Sequence, residues 1–193
     1  MNHQIRPAVS TMPELNDDPF VRWQALLEER TGMCMPVQRR TFLQTSLGIR
    51  MREIACSDYS EYYSKVVSGP SGAIEWNTLV DRLTVQETRF FRDPDAFEFV
   101  GNYIQKMANT LAAGQTLEMW SVGCSSGEEA YSLGMVADQY LTPAGRQYAV
   151  TGTDISTFAL RKARAASYQL SALGWIPDSH RDQYCLRTDD GHM

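Results

Sequence analysis

The segment Trp120-Ser-Val-Gly-Cys-Ser-Ser-Gly-Glu-Glu-Ala-Tyr-Ser132 constrains this chain more than any other. An apolar stretch from Leu117 to Val122 runs into a turn of small residues, Gly123 to Gly127. An acidic pair, Glu128 and Glu129, then opens a helix through Tyr131, Leu133, Met135 and Val136. Strand, small-residue turn and helix build a cradle in which a ligand can lie against backbone N–H groups at a helix start. A phosphate does not suit it. The turn lacks the Gly-Lys-Ser/Thr ending of a nucleotide-triphosphate loop, and two carboxylates in the first helical turn repel a polyanion. A cationic or neutral ligand fits better.

S-adenosylmethionine, with its sulfonium and amino groups, meets that requirement. Asp154 supports it from the second strand, at the end of Val150-Thr-Gly-Thr-Asp154. In nucleotide-binding α/β folds an acid at that place accepts hydrogen bonds from ribose hydroxyls. The competing reading is a cap for the helix that follows, which Asp154-Ile-Ser-Thr also suits. Glu128 and Glu129 have a bland reading too, since the macrodipole favours acids in a first turn by about 0.3–1 kcal/mol each. Their place directly behind Gly123–Gly127 makes at least one of them a partner for a cationic ligand.

Around this segment the chain changes character. Residues 1–16, with Pro7 and Pro13, read as a disordered lead-in. From 17 to 86 every periodic segment is helical. Phe20, Trp23 and Leu27 mark one face, closed by Thr31-Gly32, and Val37, Phe42, Leu47, Met51 and Ile54 trace a second helix. Asp58 caps a third through Tyr59, Tyr62, Tyr63 and Val66, which the Ser68–Gly72 cluster ends. Trp76, Leu79, Val80 and Leu83 mark a fourth. From 87 to 193 the pattern differs. Asp93-Pro94 starts a helix, and strand 117–122, helix 128–140, strand 147–153 and helix 156–166 then alternate as in a parallel, doubly wound sheet.

The fold class is therefore α/β: an all-helical bundle followed by a partial Rossmann-like layer. Two parallel strands cannot cover both faces of such a layer. The expectation is the N-terminal piece of a longer protein, with a mini-domain that pairs its open sheet with a second copy as the lesser alternative.

Composition narrows function. A net charge of −5 argues against a general nucleic-acid binder. Cys34, Cys56, Cys124 and Cys185 form no Cys-x-x-Cys pair and read as reduced structural thiols. His3, His180 and His192 lie near the ends, so no metal site is expected. No apolar run approaches the roughly 18 residues of a membrane span, and Met1–Asp18 has no stretch like a signal peptide. The expected location is the cytoplasm.

Thr88-x-Phe-Phe-Arg92, then Trp120-Ser-x-Gly-Cys-Ser-Ser-Gly-Glu-Glu-x-Tyr-Ser132, then Thr153-Asp154-Ile155 and Lys162-Ala-Arg164, stand in the order of the CheR family. The resemblance extends over about residues 18–188, taking in Tyr168-x-Leu170 and Arg181-Asp-Gln-Tyr184-Cys. CheR proteins are chemotaxis-receptor methyltransferases that esterify glutamate side chains with S-adenosylmethionine and release S-adenosylhomocysteine. The resemblance implies that Thr88, Arg92, Gly123, Glu128 and Asp154 contact the cofactor. It implies that Arg92 stands beside the transferring methyl and the substrate carboxylate as the catalytic arginine. It further implies that the helical unit resembles the family's receptor-facing domain, with Arg39, Arg40, Arg50 and Arg52 turned to the cytoplasmic domain of a chemoreceptor. A solvated charged face accounts for that basic run equally well. The family's later strands, with an Asn-Leu-Leu-like cofactor contact and an Arg-Asn-x-x-Ile-Tyr-Phe-like catalytic segment, have no counterpart here. Two rivals stay open: a non-catalytic module that docks a receptor or signalling protein, and a methyltransferase with another substrate.

Overall fold

Two units divide the chain, Met1–Leu83 and Thr84–Met193. The computed structural model describes residues 14–84, 86–188 and 191–193.

The first unit is built from four helices: α1 (Asp17–Thr31), α2 (Arg40–Glu53), α3 (Tyr59–Val67) and α4 (Gly69–Leu83). Their apolar faces meet in one core. Phe20, Trp23 and Leu27 from α1 pack with Leu43, Leu47 and Met51 from α2, Tyr62 and Val66 from α3, and Leu79 and Leu83 from α4. Trp23 sits against both Tyr62 and Tyr63, ring centres 5.3 and 5.2 Å away. The expected lead-in lies outside the described residues as far as position 13. Leu15, within its last residues, is wholly buried, and its N–H donates to Gln44 Oε1 at 3.3 Å. The reason is apolar burial: Leu15 belongs to the bundle core. Val37 departs from its expected helix, lying 61% exposed in a 3-10 turn, Val37–Arg39, ahead of α2.

The Ser68–Gly72 cluster separates α3 from α4 by Ser68 alone, and Gly69–Gly72 form the first turn of α4. Gly72 explains the closeness. A Cβ built there would lie 2.6 Å from the Lys65 carbonyl oxygen and 2.8 Å from that of Val66. Both are backbone atoms with no rotamer to yield, so only glycine lets the two helices approach. Gly72→Ala is expected to destabilise the helical unit by about 1–3 kcal/mol, the range for overpacking. A urea midpoint unchanged from the parent would contradict this close approach.

The second unit carries helix α5 (Pro94–Thr110), strand β1 (Thr116–Val122), helix α6 (Glu128–Leu141), strand β2 (Gln147–Thr153), helix α7 (Thr157–Ala165) and helix α8 (Asp178–Tyr184). Asp93 accepts from the Ala96 N–H and caps α5. β1 and β2 pair in parallel from Thr116↔Gln147 to Val122↔Thr153. Alternation sets the two faces of the pair. Leu117, Met119 and Tyr148 turn to a core of Ile104 and Ala108 from α5 and Val136, Ala137 and Leu141 from α6. Trp120 and Val122 point the other way and are 66% and 68% exposed.

Asp138 on α6 ties three elements together. It accepts from Thr142 Oγ1 (2.7 Å), from the Tyr184 hydroxyl on α8 (2.7 Å) and from the Tyr148 hydroxyl on β2 (3.3 Å). Those bonds, Thr142's first and then Tyr184's, hold its carboxyl below the usual range. Met193 also packs. The Met193 N–H donates to the Tyr168 carbonyl (2.9 Å), the reverse bond spans 3.1 Å, and the Met193 side chain is buried beside Phe90.

Candidate cofactor and methyl-transfer site

The turn between β1 and α6 is pinned to the end of β2. The N–H groups of Gly123 and Cys124 both donate to the Thr153 carbonyl, at 2.8 and 2.9 Å. Asp154 completes the tie. Its Oδ2 accepts from the Ser125 N–H (2.8 Å) and its Oδ1 from the Ser156 N–H (2.7 Å). The cap of α7 is Ser156, whose Oγ accepts from the Ala159 N–H at 3.0 Å. Asp154 is thus a strap between two strand-end loops rather than the cap of α7.

Gly127 closes the turn at φ +98°, in left-handed space that side chains disfavour. A Cβ there would lie 2.9 Å from the Ala163 Cβ and 3.1 Å from the Tyr168 hydroxyl. Gly123 is different. A Cβ built on it meets nothing within 4 Å, so a ligand can approach its backbone freely. In the same turn Ser125 leaves a buried hydroxyl with no hydrogen-bond partner among the described residues. Open backbone, an unsatisfied hydroxyl and flanking carboxylates together fit a ligand with hydroxyl and cationic groups.

Two concavities flank the turn. One, of about 480 Å³, is lined by Thr88, Arg89, Phe90, Ser126, Glu128, Lys162, Tyr168 and Trp175 among others. The second, of about 660 Å³, runs along β2 and α7 and includes Cys124, Gly127, Gly152 and Asp154. Thr88 and Glu128 therefore share a cleft, while Asp154 stands across the turn from them. Glu128 is held by Ser126, whose Oγ donates to both carboxylate oxygens at 3.0 and 2.7 Å. Glu129 faces away from Ser126: the buried Ser121 hydroxyl on β1 donates to it at 2.7 Å. The acidic pair is divided, one residue to the cleft and one to the strand.

Arg92 lines neither concavity. Its Nη1 donates to the Glu87 carbonyl at 2.8 Å, and its own carbonyl accepts from Arg89 Nη2 at 3.2 Å. The Arg92 bond to Glu87 braces the turn that presents Thr88, and Phe91 within it takes φ +48°.

The basic run of the helical unit is heterogeneous. Arg39 lies over the Phe42 ring at 4.5 Å, and Arg52 is exposed, donating to the Gly48 carbonyl at 3.2 Å. Arg40 lies over Phe20 at 4.6 Å and pairs with Asp17 at 2.6 Å. Arg50 is the most heavily paired of the four. Its side chain is 14% exposed and bonds Glu75 at 2.9 and 2.5 Å, with a further ion pair to Glu53. Those carboxylates, Glu75 foremost, hold its pKa above the ordinary value. Arg50 is thus a partly exposed strut of the bundle.

Tyr168 is the residue that reading by motif under-weighted. Its hydroxyl donates to the Ser126 carbonyl at 2.7 Å, and its ring meets Phe90 edge-on at 4.9 Å. Burial, with the Glu128 charge nearby, pushes its phenol well above the ordinary pKa. It joins the cofactor turn to the Thr88 segment. An aromatic residue just after α7 was the available signal. All four cysteines are free, and among the described residues no cluster of three or more metal-ligating side chains occurs and no helix is long and apolar enough to cross a membrane.

Comparison with known proteins agrees with this geometry. Residues 18–84 match the all-alpha domain of CheR methyltransferases, and residues 86–193 match the SAM binding domain of CheR methyltransferases. Among curated relatives, a chemotaxis protein methyltransferase of Salmonella typhimurium is 28% identical over 92% of this chain and 59% of its own length. A probable biofilm formation methyltransferase of Pseudomonas putida is 30% identical over 92% of this chain and 40% of its own. A chemotaxis protein methyltransferase of Borreliella burgdorferi is 24% identical over 91% and 64%. The chain spans about three-fifths of the length of the chemotaxis relatives it matches. S-adenosylmethionine is the cofactor of the matched domain, in agreement with the open turn and its carboxylates. By these matches the chain belongs to the CheR methyltransferase family.

Proposed function

We propose that the whole protein, of which this chain supplies the helical unit and the front of the cofactor domain, is a cytoplasmic protein-glutamate O-methyltransferase acting on the cytoplasmic domain of a chemoreceptor. The observation that carries the reading is the strapped turn: Gly123 open to approach, Asp154 behind it and Glu128 in the adjoining cleft. When bound, S-adenosylmethionine would supply an electrophilic methyl group for a carboxylate oxygen, with S-adenosylhomocysteine as the leaving group.

The chain's own residues do the rest. Asp154 would accept from the ribose hydroxyls with the oxygen lone pairs that Ser125 and Ser156 leave free. Glu128, fixed by Ser126, would hold the cationic groups of the cofactor. Gly123 and Thr88 would complete its seat. A glutamate side chain has an unperturbed pKa of about 4.3 and arrives already ionised. No general base is required of the protein. Its task is alignment, with nucleophile and methyl held in line at near-attack distance and water kept out as charge is neutralised. Beyond the one on Glu87, the Arg92 N–H groups have no acceptor among the described residues, and the planar fork would orient the substrate carboxylate. Arg39, Arg40 and Arg52 face the receptor. Pairing of two copies through the open sheet is the proposed oligomeric contact.

Steady-state kinetics of the full-length protein with a receptor cytoplasmic fragment test these assignments. Arg92→Ala is expected to lower kcat about tenfold, the equivalent of 1.4 kcal/mol, with little change in cofactor dissociation constant. Lost cofactor affinity with turnover intact at saturation would refute the role of Arg92.

A further inference from the structure

The cleft that holds Thr88 and Glu128 is segregated by charge. Glu128 is half-buried, whereas the two cations that line the same cleft, Arg89 and Lys162, are exposed. Each cation rests on an aromatic ring. The Arg89 guanidinium lies 4.2 Å from the centre of the Trp175 ring, and the Lys162 ammonium lies 4.5 Å from that of Phe158. Both rings are themselves exposed, at 52% and 42%.

Neither cation has a carboxylate within ion-pair distance among the described residues, although other arginines of the chain do. Arg89 is held a second way, by the bond from its Nη2 to the Arg92 carbonyl. Its other N–H groups have no protein acceptor among the described residues. A long cationic side chain in water ordinarily samples many rotamers, and stacking on a ring fixes the guanidinium plane before any ligand arrives. The flanking residue Phe90, buried against Tyr168, anchors the backbone from which Arg89 projects.

We infer that Arg89, seated on Trp175, and Lys162, seated on Phe158, receive an acidic segment of the polypeptide substrate. They select targets that carry carboxylates in addition to the one that is methylated. The inference rests on the methyl-acceptor reading above. The charge layout sorts the two ligands: a cationic cofactor is drawn towards Glu128, and an anionic chain is held at the rim. Arg89 sits between Thr88 and Phe90 and is distinct from Arg92, so recognition of the chain and orientation of the target carboxylate fall to different arginines.

The test uses the full-length protein and a receptor cytoplasmic fragment at low ionic strength. Arg89→Gln is expected to raise the KM for the fragment about fivefold, the scale of one exposed charge contact. The cofactor dissociation constant should stay within about twofold, and added salt should raise the fragment KM less than in the parent. Arg89→Lys, which keeps the charge, should retain most of that salt sensitivity, and Trp175→Ala should shift KM in the same direction as Arg89→Gln. An unchanged KM in Arg89→Gln would overturn the inference. So would a rise in cofactor dissociation constant alone, which would assign the guanidinium to the cofactor's own carboxylate. Failure of the parent itself to methylate the fragment would overturn the underlying reading as well, and is seen before any variant is made.

Discussion

Replacing Glu75 with alanine is expected to destabilise the helical unit by about 3 kcal/mol, the lower end of the range for removing one member of a buried ion pair. Glu75 and Arg50 are each only 14% exposed. Glu75 also accepts from the Tyr62 hydroxyl at 2.7 Å, and Tyr62 is wholly buried beneath Trp23. The substitution therefore strands a guanidinium and a phenol together. Glu53 keeps a hold on Arg50 and on Arg82, which is why the lower end applies. Urea unfolding reports the loss as a lower midpoint. A change below about 1 kcal/mol would place this network with ordinary solvent-screened surface pairs.

Asp154→Ala is expected to weaken S-adenosylmethionine binding to the full-length protein by about 1.5–3 kcal/mol, the range for hydrogen bonds to a charged group. Two effects act in one direction. The ribose loses its proposed acceptor, and the N–H groups of Ser125 and Ser156 lose the carboxylate that ties the turn to β2. Asp154→Asn separates them, because an amide oxygen can still accept one of those bonds but carries no charge. Calorimetry should find the asparagine variant intermediate. An unchanged dissociation constant in Asp154→Ala would refute the ribose role.

Much of the second unit was legible because its elements are long and strongly periodic. β1, α6 and β2 begin and end within a residue of the positions that apolar alternation and helical spacing mark. The strap role of Asp154 was not legible. The sequence supports both a ribose acceptor and a helix cap, and only the fold shows Ser156 taking the cap. Arg50 shows a second kind of blindness. A run of arginines looks uniform along the chain, yet Glu75 lies 25 positions away and draws one of them into the bundle's own ion-pair network. Gly72 shows a third. A cluster of Gly, Pro and Ser reads as a loop, but a missing side chain also lets two helices touch. Arg89 stood unremarked inside Thr88-Arg89-Phe90 because its platform, Trp175, is remote in sequence.

Methyl transfer to glutamate side chains is open to a direct test. The full-length protein is incubated with methyl-labelled S-adenosylmethionine and receptor cytoplasmic fragments, and label on the fragment is measured before and after mild alkali. Label that alkali releases is expected, because a carboxyl methyl ester is base-labile. Receptor binding without any label would contradict it and favour a docking module. Label that resists alkali would contradict it as well, by placing the methyl on something other than a carboxylate.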